Sequence, residues 1–437
     1  MDAHLREHSF TPNRAQRRSA SRRRVAAVGS AAVLASAAAA VVTGSAGVAS
    51  AAEHTVSTCA DSGVGSLRQA IDDANTNDGP DVITITATCT ASGPVVLGSV
   101  LDATDYAGGD GLSIVGPGAD AFVLDGNGSE RIFYVGNGTD FTLSGVTLQH
   151  AFGSALRGSG SGDIVVDGVV FDDNVGYQGG GVSLLDPGSV TVTNATFVAN
   201  SSVDRGGAFY VQNSGPITIS SSTFSDNTAV RDGGGILIYS TTSDVEIVNS
   251  TFSGNSGSDG GGLYADLYDA VLTLEFCTFA DNVATTGAGG GLRVRVADSL
   301  TVIGSIFSGN SAYTTGTDEI DVDSLAPTEH DNLFEGSVDG FTPDASDLTG
   351  VDPLLGPLAD NGGPTQTRAL GAGSPAIDAG PTSYPPFTGD TADQRGAPYL
   401  RVYGGRADIG AFEVQPEPTP PGPGPTPEPE PEPTFTG

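Results

Sequence analysis

The sequence predicts an all-β solenoid, a parallel β-helix in which short strands stack in successive coils. Two motifs recur through the middle of the chain at a period of about 27 residues, which is typical of solenoid proteins. After each glycine motif, apolar and polar residues alternate, and a period of two indicates strands instead of helices. The composition agrees with this class, because 63 of the 437 residues are Gly and none is Trp.

The first motif is Phe-x-x-Asn. It occurs at Phe171/Asn174, Phe197/Asn200, Phe224/Asn227, Phe252/Asn255, Phe279/Asn282 and Phe307/Asn310. We expect each Phe to point inward and stack on the Phe of the neighbouring coils. We expect each Asn to take the left-handed conformation at a bend and to form a hydrogen-bonded ladder along the rod.

The second motif is a glycine pair followed by a small and an apolar residue. Its copies are Gly179–Val182, Gly206–Phe209, Gly233–Ile236, Gly260–Leu263 and Gly289–Leu292. Glycine permits positive φ and a close backbone approach, so we place this motif at another corner of the coil. With coils about 4.8 Å apart, nine or ten of them would form a rod about 45 Å long.

Together the two motifs resemble the repeats of chlamydial polymorphic outer-membrane proteins and related bacterial surface proteins. The resemblance covers about residues 169–310. It implies a right-handed single-stranded parallel β-helix, the pectin-lyase-like solenoid, over the predicted repeat region 96–350. It also implies an adhesin-like role, by analogy of fold.

The first 51 residues have the pattern of a secretory signal peptide. Six arginines between residues 14 and 24 precede an apolar, Ala-rich stretch, and Ala49-Ser50-Ala51 supplies small residues for cleavage. A membrane anchor is the alternative, and the choice between Sec and Tat export stays open. We expect a secreted or cell-surface protein with no transmembrane segment after cleavage.

Residues 52–95 predict an N-terminal cap. Ser66 and Gln69 fit a capping box, and apolar residues then follow at helical spacing, so we expect a helix at about 66–75 that covers the first coil. This segment resembles the N-terminal cap of bacterial β-helix proteins of the CSLREA type. Because export permits disulfides, we expect Cys59 to pair with Cys89 and Cys277 to be a buried, inert thiol.

Residues 351–414 predict a C-terminal capping domain. The strings Asp352–Thr365, Gly373–Gly380, Asp393–Gly396 and Asp408–Glu413 resemble the "choice-of-anchor Q" domain of exported bacterial proteins. Residues 415–437 form a Pro/Glu-rich tail, for which we expect an extended, disordered chain.

The net charge of -34 argues against a nucleic-acid partner. Contacts to phosphates need Lys and Arg, and this chain has 18 basic residues against 52 acidic ones. We therefore expect an extracellular glycan or a surface protein as the partner.

Two groups of residues are candidates for a site. The outward-facing candidates for ligand binding are Tyr210, Gln212, Tyr239, Tyr264, Asp266, Arg293 and Arg295, because Tyr and Arg on a rigid sheet suit glycan or protein contacts. A mixed strand exterior is the alternative interpretation. The metal candidates are Asp232 and Asp259, which we expect about 4.8 Å apart on adjacent coils. A surface ladder with Arg205 and Arg231 is favoured over a Ca²⁺ site, and we expect no other cofactor.

A third column, Asp173, Asp226 and Asp281, precedes the corner Asn in alternate coils. We interpret it as a solvated turn column, since Asp is a favoured turn residue.

The sequence thus favours a structural or adhesive protein without catalytic activity. The alternative is a polysaccharide lyase or glycoside hydrolase of the pectate-lyase-like class. The periodic Asp columns provide no converging acid and base pair, which favours the first hypothesis.

Overall fold

In the computed structural model, the structure describes residues 52–76, 79–89, 93–105, 111–295, 297–323, 327–382 and 391–415. The predicted signal peptide and the Pro/Glu-rich tail from residue 416 lie outside the described residues. Among the described residues, no helix is long and apolar enough to cross a membrane.

The chain winds into a right-handed parallel β-helix of about ten turns, as the sequence predicts. We number the sheets in the order in which a coil passes through them. Within the described residues, these four sheets contain 11, 11, 6 and 10 strands. Strands pair in parallel with their counterparts in the next coil, so Val190 pairs with Ile217 and Phe209 with Ile236. The register shifts between Gly176 and Gln178 and between Tyr239 and Thr241.

The strands Leu355–Ala359 and Thr367–Leu370 form a separate antiparallel pair, and the strands of the four parallel sheets have the following bounds. The first sheet contains Ala52–Val56, Asp81–Ile85, Leu112–Val115, Phe141–Ser144, Ile164–Asp167, Val190–Thr193, Ile217–Ser220, Val245–Val248, Val271–Glu275, Ser299–Ile303 and Thr328–His330. The second contains Val95–Val96, Val123–Asp125, Thr147–Gln149, Val170–Asp172, Thr196–Val198, Thr223–Ser225, Thr251–Ser253, Thr278–Ala280, Ile306–Ser308, Leu333–Phe334 and Leu348–Thr349. The third contains Val175–Gln178, Ser201–Arg205, Thr228–Ala229, Ser256–Gly257, Val283–Ala284 and Ser311–Ala312. The fourth contains Leu101–Asp102, Phe133–Gly136, Leu156–Ser159, Val182–Leu185, Phe209–Gln212, Ile236–Thr241, Leu263–Leu267, Leu292–Arg295, Ile320–Val322 and Val338–Asp339.

A continuous file of phenylalanine rings fills the interior beside the second sheet. The centroids of Phe252 and Phe279 are 4.4 Å apart, and those of Phe279 and Phe307 are 4.7 Å apart, with nearly parallel ring planes. The file continues through Phe334, which packs edge-on against Phe341. The Phe of the first motif therefore points inward and stacks from coil to coil.

The asparagines of the same motif form a buried ladder. Asn227 Nδ2 donates to Asn255 Oδ1 at 2.9 Å and also to the carbonyl oxygen of Phe197 at 2.9 Å. The same pattern joins all six predicted positions, Asn174, Asn200, Asn227, Asn255, Asn282 and Asn310. Each side chain thus satisfies polar groups that the closed coil would otherwise leave without partners.

One detail of the predicted bend is wrong. The left-handed residue is the one before each Asn: φ is 54° at Asp226, 70° at Gly254 and 58° at Asp281. Five of these six positions are Asp or Gly, which tolerate positive φ better than most residues, and the sixth, Ala199, has φ of 55°. The column of Asp173, Asp226 and Asp281 follows from this backbone conformation.

The described part of the chain contains a single helix, Leu67–Ala74, which packs against the first coils. The Ser66 hydroxyl accepts a hydrogen bond from the backbone of Gln69 at 3.2 Å, but the Gln69 side chain donates to Asp73 and not back to Ser66. A disulfide joins Cys59 to Cys89 beside this helix, with the Cα atoms 5.7 Å apart.

The C-terminal segment folds back along the outer side of the second sheet. The Gln394 amide donates to the Thr223 hydroxyl at 2.9 Å and accepts from the Thr251 hydroxyl at 2.5 Å. Arg401 donates to Asn249, and Ala411 N donates to the Thr278 hydroxyl. These contacts are lateral, and the motifs Asp393–Gly396 and Asp408–Glu413 supply several of them.

Cys277 is fully buried in the rod interior. Burial raises the pKa of its thiol to about 12, so the reactive thiolate is scarcely populated near neutral pH.

Candidate ligand-binding groove

The glycine motif bends the chain sharply between the third and fourth sheets. The first glycine of each pair has positive φ, for example 72° at Gly233 and 58° at Gly260. A Cβ atom on Gly233 would lie 2.8 Å from Leu237 Cβ, and one on Gly260 would lie 2.8 Å from Tyr264 Cβ. Only glycine allows so close an approach, which places the end of the third sheet beside the outer side of the fourth.

We call the outer face of the fourth sheet at this bend, where Arg205 of the third sheet lies against Asp232 and Tyr239, the groove. It is defined by Arg205, Tyr210, Gln212, Asp232, Leu237, Tyr239, Tyr264, Asp266, Tyr268, Arg293 and Arg295. Since the same bend recurs in successive coils, the groove runs along the rod axis, with about 4.8 Å from one coil to the next.

All seven predicted ligand-binding residues lie on the outer side of the fourth sheet, where they form two columns. Registered pairing puts Tyr210, Leu237, Tyr264 and Arg293 in the first column. The second column is Gln212, Tyr239, Asp266 and Arg295.

The expectation that both columns face solvent is wrong for the first column, and it is also wrong for Asp266 of the second, which is 6% exposed. Tyr210 is 1% exposed, Leu237 0% and Tyr264 6%, and together they form an apolar cluster outside the main core. The tight glycine bend brings the end of the third sheet over these side chains. They form the floor of the groove and support it, while the second column lies further from the bend.

The floor hydroxyls are fixed by hydrogen bonds. Tyr210 Oη donates to Gln212 Oε1 at 2.8 Å, and Arg295 Nη1 donates to Tyr264 Oη at 3.1 Å. Burial is the main reason that the pKa values of both tyrosines are raised. Both therefore stay protonated at neutral pH and hold the second column in place.

Arg205 lies over the groove from the third-sheet side. Its Nε is 3.2 Å from Asp232 Oδ2, and its guanidinium carbon is 5.7 Å from the centre of the Tyr239 ring. Burial raises the pKa of Asp232, while the charge of Arg205 opposes this shift. The contact links one wall of the groove to the second column.

A second set of ion pairs closes the C-terminal end of the groove. Arg293 contacts Asp321 and donates to Asp323 at 2.9 Å. Arg295 Nε lies 3.5 Å from the other oxygen of Asp323.

Asp266 differs from these paired acids. It is 6% exposed, and its Oδ1 has no hydrogen-bond partner among the residues that the structure describes. Burial raises the pKa of Asp266, and the charges of Arg295 and Arg205 counteract this only in part.

Sequence reasoning missed Tyr268, which follows the strand Leu263–Leu267. It is 44% exposed, and the charge of Asp266 is the main cause of its raised pKa. Tyr264, Asp266 and Tyr268 are spaced two residues apart, so the alternation of the strand could have identified the third member.

The two metal candidates are occupied by contacts within the protein. Asp232 pairs with Arg205, and Asp259 Oδ1 accepts a hydrogen bond from the backbone of Ala288 at 2.9 Å. The described part of the chain contains no group of three or more His, Cys, Asp or Glu side chains arranged to hold a metal ion. Asp232 therefore fits the charge ladder with arginine that the sequence favoured over a Ca²⁺ site. Asp259 does not, because it stabilises the turn of the next coil.

A second depression lies at the bend before Asn174 and was not predicted. His150 Nδ1 is 2.9 Å from Asp125 Oδ2, and its Nε2 is 3.9 Å from Asp173 Oδ2. The hydrogen bond to Asp125 is the main cause of the raised pKa of His150. His150 has φ of 50°, so it occupies the same left-handed position as Asp173 in the next coil, and the pair fixes this bend.

Comparison with known proteins supports the fold. Residues 154–325 match a family model described as "Right handed beta helix region". The chain is similar to the crystal structure of pectate lyase Pel9A, with a TM-score of 0.50, 16% identity, and coverage of 84% of this chain and 98% of that one. The A-module of the mannuronan C-5 epimerase AlgE4 of Azotobacter vinelandii aligns with a TM-score of 0.22, 12% identity, and coverage of 65% of this chain and 92% of that one. No curated protein sequence matches the chain. At such low identity, the likeness to pectate lyase concerns the fold alone.

Proposed function

We propose that this is an exported β-helix protein, secreted or held at the cell surface, that binds an extended glycan in the groove without cleaving it. The observation that carries the proposal is the second column together with Tyr268. It places aromatic rings, a carboxylate, an amide and a guanidinium at regular intervals along one axis. The Arg-rich leader pattern supports export.

A glycan fits this arrangement better than a polypeptide. The exposed ring of Tyr268 and the ring of Tyr239, one face of which lies under Arg205, offer apolar contact. The polar groups of Gln212, Asp266 and Arg295 lie beside them. Sugar rings present the same combination of an apolar face and a rim of hydroxyl groups. A polypeptide would need unpaired backbone groups along an open edge, and the fourth-sheet strands of the groove are paired on both sides.

The arrangement of charges favours binding over cleavage. Cleavage by a pair of carboxyl groups needs one as acid and the other as base or nucleophile. In the groove, Asp232 pairs with Arg205 and Asp323 with Arg293 and Arg295. These contacts hold the carboxylates in place for structural reasons.

A polysaccharide-cleaving enzyme is the second candidate function. One observation favours it: burial raises the pKa of both Asp232 and Asp266, as a general acid requires. Both candidate functions use the same groove and differ only in whether a glycosidic bond breaks.

One experiment separates the two candidates. Purified mature protein is incubated with a panel of neutral and uronic-acid polysaccharides, and both retention on the insoluble glycan and product release are measured. We expect retention without new reducing ends or unsaturated products. Product release would favour the enzyme, and retention that survives Tyr239→Ala with Tyr268→Ala would exclude this groove.

A further inference from the structure

We infer that Asp266 determines the specificity of the groove by accepting a hydrogen bond from a hydroxyl group of a neutral glycan. This inference rests on the proposed function and names the class of glycan that the groove takes.

The first step is the missing partner of Asp266. The other acids within and beside the groove have cationic partners: Asp232 has Arg205, and Asp321 and Asp323 have Arg293. Asp266 Oδ1 is buried and has no hydrogen-bond partner among the described residues. Buried polar oxygens in native proteins nearly always have a hydrogen-bond partner, so the unpartnered Oδ1 marks Asp266 as a group that can accept a hydrogen bond from a ligand.

The second step is the way a ligand reaches this group. The last torsion of an Asp side chain is broad and nearly two-fold, so its rotation exchanges the two carboxylate oxygens at small cost. Asp266 keeps 6% of its surface exposed on the outer side of the strand Leu263–Leu267. A half turn of the carboxylate brings Oδ1 to the exposed side, where a sugar hydroxyl at the groove surface can donate to it.

The third step is the set of neighbours. Tyr239 and Arg295 pair in register with Asp266 on the coils before and after it, and Tyr268 follows two residues later. A carboxylate acceptor beside a guanidinium donor suits two adjacent hydroxyl groups, one donating and the other accepting. Two tyrosine rings beside them can contact the apolar face of the same sugar or of its neighbour.

The fourth step concerns the charges around Asp266 and on the whole chain, which disfavour a charged glycan. Arg205, Arg293 and Arg295 nearly balance Asp232, Asp266, Asp321 and Asp323 within and beside the groove. The whole chain carries a net charge of -34, so a polyanionic glycan would be repelled at long range. An ammonium group at Asp266 would in turn be repelled by Arg205 and Arg295, whose charges both act on Asp266. Neutral hydroxyl groups avoid both costs.

The test is calorimetric titration of the mature protein with soluble hexasaccharides of three classes. The probes are neutral gluco-, manno- and xylo-oligosaccharides, an oligogalacturonate and a glucosamine oligomer. We expect a neutral probe to bind at least tenfold more tightly than both charged probes. Asp266→Leu should weaken its binding about 10- to 100-fold, the effect of losing a hydrogen bond to a charged group. Asp266→Asn keeps one acceptor oxygen and should lose less affinity for the neutral probe.

The control is Asp120→Asn, which changes the net charge equally at an exposed position outside the groove and should leave binding unchanged. Thermal melting of each variant checks folding. Asp266→Leu removes an unsatisfied buried oxygen, so we expect no loss of stability. Equal or tighter binding of a charged probe, or unchanged neutral binding by Asp266→Leu, would overturn the inference and leave glycan binding standing. If the protein binds none of the probes and is also not retained on any polysaccharide, the proposed function is rejected as well.

Discussion

The side-chain amide of Asn310 donates to the carboxylate of Glu319 at 2.5 Å, and the asparagine ladder ends there. The other oxygen of Glu319 accepts from the backbone of Gly336 at 2.8 Å. Glu319 thus supplies the acceptor that the next Asn would have provided. Burial raises the pKa of this carboxyl to about 7.

The ladder predicts a large effect of a single central substitution. Asn227→Ala removes the acceptor for the backbone and side-chain N–H groups of Asn200 and the donor to Phe197 and Asn255. Several buried groups lose partners, so we expect a loss of about 3–5 kcal/mol in the free energy of unfolding. Chemical denaturation measures it. Thr218→Ala, on the outer side of the first sheet, is the control and should change stability by less than about 1 kcal/mol; equal effects would show that the ladder contributes little.

A pH dependence follows from buried carboxyl groups. Burial raises the pKa of Glu275 to about 8, and Glu275 Oε1 has no hydrogen-bond partner among the described residues. Its folded-state pKa lies above the unfolded value, so its contribution is fully present below about pH 4.5 and is lost as pH rises through about 8.

We therefore expect the melting temperature to fall between about pH 5 and pH 8.5. Glu275→Gln should flatten this dependence and stabilise the protein at pH 8.5 by about 2 kcal/mol, since no buried charge then forms. The exposed Glu53→Gln is the control. If the melting temperature of Glu275→Gln depended on pH as steeply as that of the wild type, this assignment would be contradicted.

The disulfide should stabilise the N-terminal cap. It closes a loop with a sequence separation of 30 residues, for which chain entropy predicts about 3–4 kcal/mol. The double variant Cys59→Ser with Cys89→Ser should melt at a lower temperature than the oxidised wild type. Reductant should lower the melting temperature of Cys277→Ala by the same amount as that of the wild type, because Cys277 forms no disulfide. Identical melting of oxidised and reduced wild type would refute the prediction.

Substitution of a buried tyrosine of the groove should lower stability, whereas substitution of an exposed one should weaken binding. Tyr264→Ala leaves a cavity in a buried cluster and should destabilise the protein by about 3–4 kcal/mol. Tyr268→Ala removes a half-exposed ring and should weaken glycan binding with little change in stability. Calorimetric melting and titration of both variants measure the two effects, and the reverse outcome would invalidate the floor and rim assignment.

The fold was predictable because its determinants are local and repeated. Each Phe, Asn and glycine pair has the same task in every coil, so their period identifies the solenoid before any long-range contact is known. The helix was equally predictable, since the Ser66 cap and the apolar spacing after it lie within one short segment.

The site was less predictable because it depends on the angle of a bend. Alternation placed Tyr210 and Tyr264 on the outer side of a strand, but outward residues are not always exposed. The glycine bend at Gly206 and Gly260 covers them, and no pattern within the strand encodes that angle. The lateral contacts of Gln394 with Thr223 and Thr251 join distant parts of the chain, so local patterns could not place them either.

The most direct test of the groove is a crystal structure of the mature protein soaked with a neutral hexasaccharide at saturating concentration. We predict density for sugar rings along the outer side of the fourth sheet, with a hydroxyl oxygen within hydrogen-bonding distance of Asp266 and a ring beside Tyr268. Sugar density on another face, or an empty groove in a crystal whose groove is open to solvent, would contradict the account.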